Sequence, residues 1–113
     1  MNEIEKSKAH IIVQVIEYAP NSVASKTIIR KTTGNISIVA IDSGIGLVEK
    51  TSPFDTFVQI IDGSAEMLIG VVMNILEKGQ GIIIPAHSTN TINAKEQFKM
   101  IMTTIKSGYE QEL

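Results

Sequence analysis

Nine short runs rich in β-branched residues succeed one another along this chain, at 23–29, 35–41, 47–50, 56–61, 65–69, 72–76, 81–84, 91–94 and 98–105. Turn residues punctuate them: Thr33-Gly34-Asn35, Asp42-Ser43-Gly44, Ser52-Pro53, Asp62-Gly63, Gly70, Lys78-Gly79 and Pro85. Many short strands at close spacing with glycine-bearing turns describe an all-β sandwich or barrel. The apolar composition agrees, with twenty Ile and eight Val against four Leu and seven Ala. Side chains branched at Cβ lose rotamer freedom in a helix and pack well on a pleated sheet, so a helical bundle is excluded. At 113 residues the chain holds one compact domain and is too short for two.

Two turns carry sharper expectations. Asp62-Gly63 suits the positive φ values of a two-residue hairpin loop, which predicts that 57–61 and 65–69 pair antiparallel. Gly70 predicts a second reversal, joining 65–69 to 72–76. Residues 56–61 are apolar on both faces, so both should be covered, one of them by another sheet or another subunit; a homodimer is expected. Residues 1–22 are ambiguous. Ile4, Ile11, Ile12, Val15 and Ile16 lie on one helical stripe, yet Ile11, Val13 and Val15 also alternate like a strand. The expected organisation is therefore an N-terminal helix or extra strand over 1–22, a barrel over 23–106 and a tail over 107–113. Met67, Met73, Met100 and Met102 are expected to fill gaps in an apolar interior.

Charge and composition exclude several function classes. Ten Lys/Arg against twelve Asp/Glu leave a net charge of −2, and two Tyr and three Phe offer no base-stacking platform, so no nucleic-acid partner is indicated. No apolar run approaches the roughly 20 residues that span a bilayer, and the polar first ten residues contain no signal-peptide core. The chain has no Cys, which removes disulfides, thiolate metal sites and Cys nucleophiles and points to the cytoplasm. Gly44-Ile45-Gly46 opens no helix and is not a phosphate loop. With two His, neither near a nucleophile in sequence, no Ser-His-Asp arrangement forms.

The turn residues also carry a specific frame. Gly44, Lys50, Ser52, Thr56 and Gly63 stand in the spacing of the first cupin motif, G-x5-H-x-H-x3,4-E-x6-G. Gly79, Pro85, His87, Asn90 and Ala94 follow the second, G-x5-P-x-G-x2-H-x3-N, with fifteen residues between Gly63 and Gly79. The phrases Gly63-Ser64-Ala65-Glu66 and Phe98-Lys99-Met100 also resemble small bacterial single-domain cupins. The resemblance covers about 23–105. It implies a double-stranded β-helix, or jelly-roll, barrel with a cavity between two sheets and dimers formed through the outer sheet and the N-terminal strand. It further implies a divalent metal held by two His and a Glu of the first motif and a His of the second.

Those four metal positions hold Lys50, Ser52, Thr56 and Asn90 here. A protonated ammonium has no lone pair to give, and neutral hydroxyl and amide oxygens are weak donors to Mn, Fe, Ni or Zn. No metal and no cofactor are expected. If Lys50 points inward, its charge sits where the cation would have been and would attract a carboxylate or phosphate. The ordinary alternative is an ion pair with Asp55 or extension to water. Ser52, Thr56 and Asn90 would then be polar lining. His87, at the motif's glycine, is either a turn residue or a group at the cavity mouth, and His10 is structural or exposed.

Three functions compete. The first is a metal-free binder of a small ligand, anionic if Lys50 faces the cavity, serving as sensor, carrier or auxiliary protein through Lys50, Ser52, Asp55, Thr56, His87 and Asn90. The second is a metal-free enzyme with His87, Lys50 or Asp55 as acid and base. The third is a dimeric scaffold with a solid barrel. The balance leans away from catalysis, and the fold alone does not decide among the three, because it hosts many unrelated roles.

Overall fold

The structure, a computed structural model, describes residues 3–49 and 51–109, with the backbone alone at Val48 and Glu49. Nine strands are described: β1 (Val23–Lys31), β2 (Gly34–Ile41), β3 (Gly46–Glu49), β4 (Asp55–Asp62), β5 (Ser64–Ile69), β6 (Val72–Glu77), β7 (Gly81–Ile84), β8 (Asn90–Asn93) and β9 (Phe98–Ile105). They form a five-stranded sheet in the order β1-β2-β9-β4-β7 and a four-stranded sheet in the order β3-β8-β5-β6, every pair antiparallel. Among the described residues no helix is long and apolar enough to cross a membrane.

Alternation along the strands builds the core between the sheets. Val39 and Ile41 from β2, Val58 and Ile60 from β4, Ala65 and Met67 from β5, Ile92 from β8, and Phe98 and Met100 from β9 are all buried in one cluster. Met67 and Met100 fill that interior as expected. Met73 does not: it stands half exposed on β6, because its register partner Leu68 lies opposite the face that carries Ala65 and Met67.

The two turn expectations divide. Gly70, with φ 59°, reverses the chain and β5 pairs with β6 from Ile69↔Val72 onward. Asp62-Gly63, however, is not a hairpin: β4 pairs with β7 and β9, while β5 pairs with β6 and β8 in the other sheet. Gly63 is the corner where the chain leaves one sheet for the other. Its φ is +70°, and a Cβ there would lie 2.2 Å from the Gln97 carbonyl oxygen and 3.0 Å from Phe98 Cα. Only glycine fits a left-handed position pressed against a neighbouring backbone.

The N-terminal segment takes the helical alternative in its shortest form, a single 3-10 turn at Ile12–Gln14. Ile12, Val15, Ile16 and Tyr18 pack with Ala24, Ile28, Ile38, Ala40 and Ile61 as a second cluster on the outer face of the large sheet, leaving Ile11 exposed. This strap is pinned by polar contacts. Lys99, only 8% exposed, donates from Nζ to the Val13 carbonyl at 2.6 Å and sits 4.9 Å from the centre of the Tyr18 ring. The Tyr18 hydroxyl donates to Asp62 Oδ2 at 2.6 Å. Burial, then that hydrogen bond and the Asp62 charge, raises the phenol well above its usual range. The two-sided apolar character of β4 is thus answered in part within the chain: Val58 and Ile60 face the core, and Ile61 faces the strap.

Candidate ligand site

Thr56 lies on β4 on the same face as buried Val58 and Ile60, so it points between the sheets. Asn90 opens β8 on the face it shares with buried Ile92. Ser52 precedes β4 in the loop that follows the first motif's lysine. The structure brings these three together in one pocket of about 70 Å3, completed by Phe54, Ile84, Pro85, Ser88 and Met102. A water occupies roughly 30 Å3 in the liquid, so the space holds about two.

Most of the polar groups here are satisfied locally. Thr56 Oγ1 and Thr104 Oγ1 share a hydrogen bond of 3.1 Å. Ser52 Oγ accepts the Phe54 backbone N–H at 3.2 Å, and the Ser88 hydroxyl donates to the Pro85 carbonyl at 2.6 Å. Asn90 is the exception: the residue is 8% exposed, and its fully buried Oδ1 meets no hydrogen-bond partner among the described residues. An orphaned buried polar atom costs about 1–3 kcal/mol, and few native structures leave one without a reason.

The remaining candidates have other posts. Asp55 does not line the pocket; its Oδ1 accepts the Ala86 backbone N–H at 2.8 Å, and its own N–H donates to the Tyr109 hydroxyl at 2.8 Å. It braces the Pro85 turn against β4. His87 is exposed, and its backbone N–H donates to the Ser52 carbonyl at 2.6 Å, which ties the two motif loops together. Its φ is +65°, so the position that the second motif gives to glycine is a left-handed one here too. The imidazole is therefore a turn side chain and lines no part of the pocket. The His10 ring contacts the Glu5 carbonyl at 2.9 Å. Lys50 lies outside the described residues.

The donor set does not fit the family's metal. Of its four ligand positions, the three described offer neutral oxygens, two of them already engaged in hydrogen bonds. Among the described residues no group of three or more His, Cys, Asp or Glu is gathered anywhere. Among the lining residues, Ile84 and Met102 follow from strand alternation, whereas Phe54 and Ser88 sit in loops whose paths carry no periodic signal.

Two surface features lie apart from this pocket. An open groove of about 750 Å3 at the β1–β2 turn is lined by Arg30, Lys31, Thr32, Asn35 and Lys106, and shares no residue with the motif pocket. On the outer face of the large sheet, the register aligns Ile29, Ile36, Thr103, Phe57 and Ile83 in one row across all five strands. Phe57 is 40% exposed and Ile83 61%, so the strap leaves this apolar row open.

No family model matches the sequence, and no curated protein matches it either. Solved structures do. A conserved protein of unknown function from Streptococcus pyogenes superposes with a TM-score of 0.88 at 27% identity, over 95% of this chain and 94% of that one. A cupin superfamily protein from Desulfitobacterium hafniense gives 0.86 at 23% identity, over 95% and 97%. A cupin 2 conserved barrel domain protein from Leptotrichia buccalis gives 0.79 at 25% identity, over 83% of this chain and 46% of that one. Strand order, motif spacing and these likenesses agree: the chain has the fold of a small cupin barrel, and its motifs keep their glycine frame while Lys50, Ser52, Thr56 and Asn90 stand at the four metal-ligand positions.

Proposed function

We propose that this protein is a metal-free cupin barrel that takes a small ligand at the Asn90 pocket, as a sensor, carrier or auxiliary protein. The observation that carries the reading is the buried Asn90 Oδ1, unpartnered among the described residues and set beside Ser52 and Thr56 where the family holds its metal. A ligand that donates to it supplies the hydrogen bond that the protein's own groups do not. The enzymatic alternative finds no support in the described site, since Asp55 is committed to the Ala86 N–H and His87 is exposed. The scaffold alternative draws on one observation, the small size of the pocket against a core filled by Phe98, Met67 and Met100. That size restricts the ligand, or the end of it that enters, to a few heavy atoms.

The same reading makes the protein a homodimer in the cytoplasm. The lack of cysteine supports the compartment. The open row from Ile29 to Ile83 supports the dimer, because a second copy would cover an apolar face too continuous for lone exposure. Sedimentation of the wild type and of Phe57→Glu is expected to give a dimer and a monomer; a wild-type monomer at high micromolar concentration refutes the dimer. For the pocket, amide NMR during titration with small polar compounds of either charge type is expected to shift the backbone resonances of Ser52, Thr56 and Asn90. No compound moving them would refute ligand binding and leave the scaffold.

A further inference from the structure

Resting on that reading, the chemistry of the Asn90 pocket names the class of ligand. We infer that it receives a neutral group bearing an N–H or O–H donor, such as a hydroxyl or a primary amide, in preference to a carboxylate or other anion. The orphaned atom is a carbonyl-type oxygen, an acceptor with two lone pairs that only a donor can satisfy. A carboxylate brought against it would set acceptor against acceptor inside a partly enclosed pocket, where such a clash is less screened than in bulk water. The neighbouring hydroxyls refine the requirement. Ser52 Oγ already accepts the Phe54 N–H, so its proton remains to be donated. The Thr56–Thr104 pair consumes one hydroxyl proton and leaves one. The guest must therefore donate to Asn90 and can accept from Ser52 or Thr56, which is the pattern of an amide or an alcohol. With the carboxamide turned end for end, the pocket would present an N–H donor and the requirement would reverse, so a preference for formate would also report that orientation. Phe54, Ile84, Pro85 and Met102 supply an apolar remainder suited to an uncharged guest.

Formamide and formate test this directly, since they share three heavy atoms and nearly one shape while differing in charge and in the N–H donor. At three heavy atoms the tightest binding attainable is about millimolar. In a 1H–15N titration at constant ionic strength and pH 7, formamide is expected to saturate shifts at the Asn90 side-chain amide and the Ser52 and Thr56 backbone. Formate should bind about tenfold more weakly, the cost of one buried hydrogen bond lost. Asn90→Ala should abolish the formamide shifts at Ser52 and Thr56, and Ser52→Ala serves where the first variant does not fold. Formate binding as tightly as formamide, or more tightly, overturns the neutral-donor assignment while leaving a ligand pocket in place; that is also the result a cation from Lys50 would produce. Neither probe shifting these resonances overturns the assignment and the binding reading together.

Discussion

Gly63 and Gly79 are both motif glycines with positive φ, +70° and +90°, but their surroundings differ. At Gly79 an added Cβ meets nothing within 4 Å, so Gly79→Ala incurs only the left-handed backbone penalty, about 1–2 kcal/mol. At Gly63 the same Cβ would sit 2.2 Å from the Gln97 carbonyl oxygen and 3.0 Å from both Phe98 Cα and Phe98 Cβ. None of those atoms is the far end of a flexible side chain, and Phe98 is fully buried, so the corner cannot yield by rotating one bond. Overpacking adds about 1–3 kcal/mol to the backbone penalty, for a total of roughly 2–5 kcal/mol. With about 4 °C per kcal/mol for a domain of this size, Gly79→Ala should melt about 4–8 °C below the wild type and Gly63→Ala about 8–20 °C below. The chain has no Trp, so far-UV circular dichroism during urea and thermal unfolding is the suitable readout. A soluble Gly63→Ala that loses no more stability than Gly79→Ala would refute the reasoning. The corner would then accommodate a side chain, and the crossing between sheets would not depend on that glycine.

Two further outcomes follow from strained or paired groups. His87 holds φ +65° without the freedom of glycine, so His87→Gly should raise stability by up to about 1 kcal/mol by relieving the left-handed strain, provided the N–H to the Ser52 carbonyl survives; a melting temperature that falls by several degrees counts against this. The raised pKa of Tyr18 means that the folded chain keeps a phenolic proton which the unfolded chain releases near pH 10. Its contribution is fully present below about pH 10 and is lost as the pH climbs towards the folded value, because the unfolded state then binds fewer protons. Stability of the wild type should therefore fall more steeply above pH 10 than that of Tyr18→Phe, by less than one proton, since the strap is partly open to solvent. Parallel slopes for the two proteins would remove Tyr18 from the pH response.

The strands were legible because their evidence is local. Period-two alternation and turn residues mark all nine, with ends shifted by a residue or two. What Asp62-Gly63 could not reveal is whether its two flanking strands remain in one sheet, since a hairpin and a corner ask the same φ of the glycine. The strap escaped for a related reason: its anchors, Lys99 on Val13 and Tyr18 on Asp62, join residues 86 and 44 positions apart. Within the site, Ser52, Thr56 and Asn90 were found through motif spacing, and the pocket contains all three. Asp55 and His87 were drawn in by residue type, but their work is done by a carboxylate on a backbone N–H and by a backbone N–H of its own. Neither role leaves a trace in spacing.

The position of β9 has a consequence for how the molecule is made. The strand nearest the chain's end lies between β2 and β4 and supplies Phe98 and Met100 to the core, with Gly34 paired to Ile105. A nascent chain emerging from the ribosome can close the β1–β2 and β5–β6 hairpins early, since their partners are near in sequence. The large sheet has no centre until β9 appears, so β2 and β4 wait with the backbone N–H and C=O groups of one edge unpaired. Folding is then a late, largely concerted event with a high loop-closure cost, in the millisecond-to-second range of all-β domains. Lys99 completes both events in one residue, since the strand that closes the sheet also brings the ammonium that latches the strap in place at Val13.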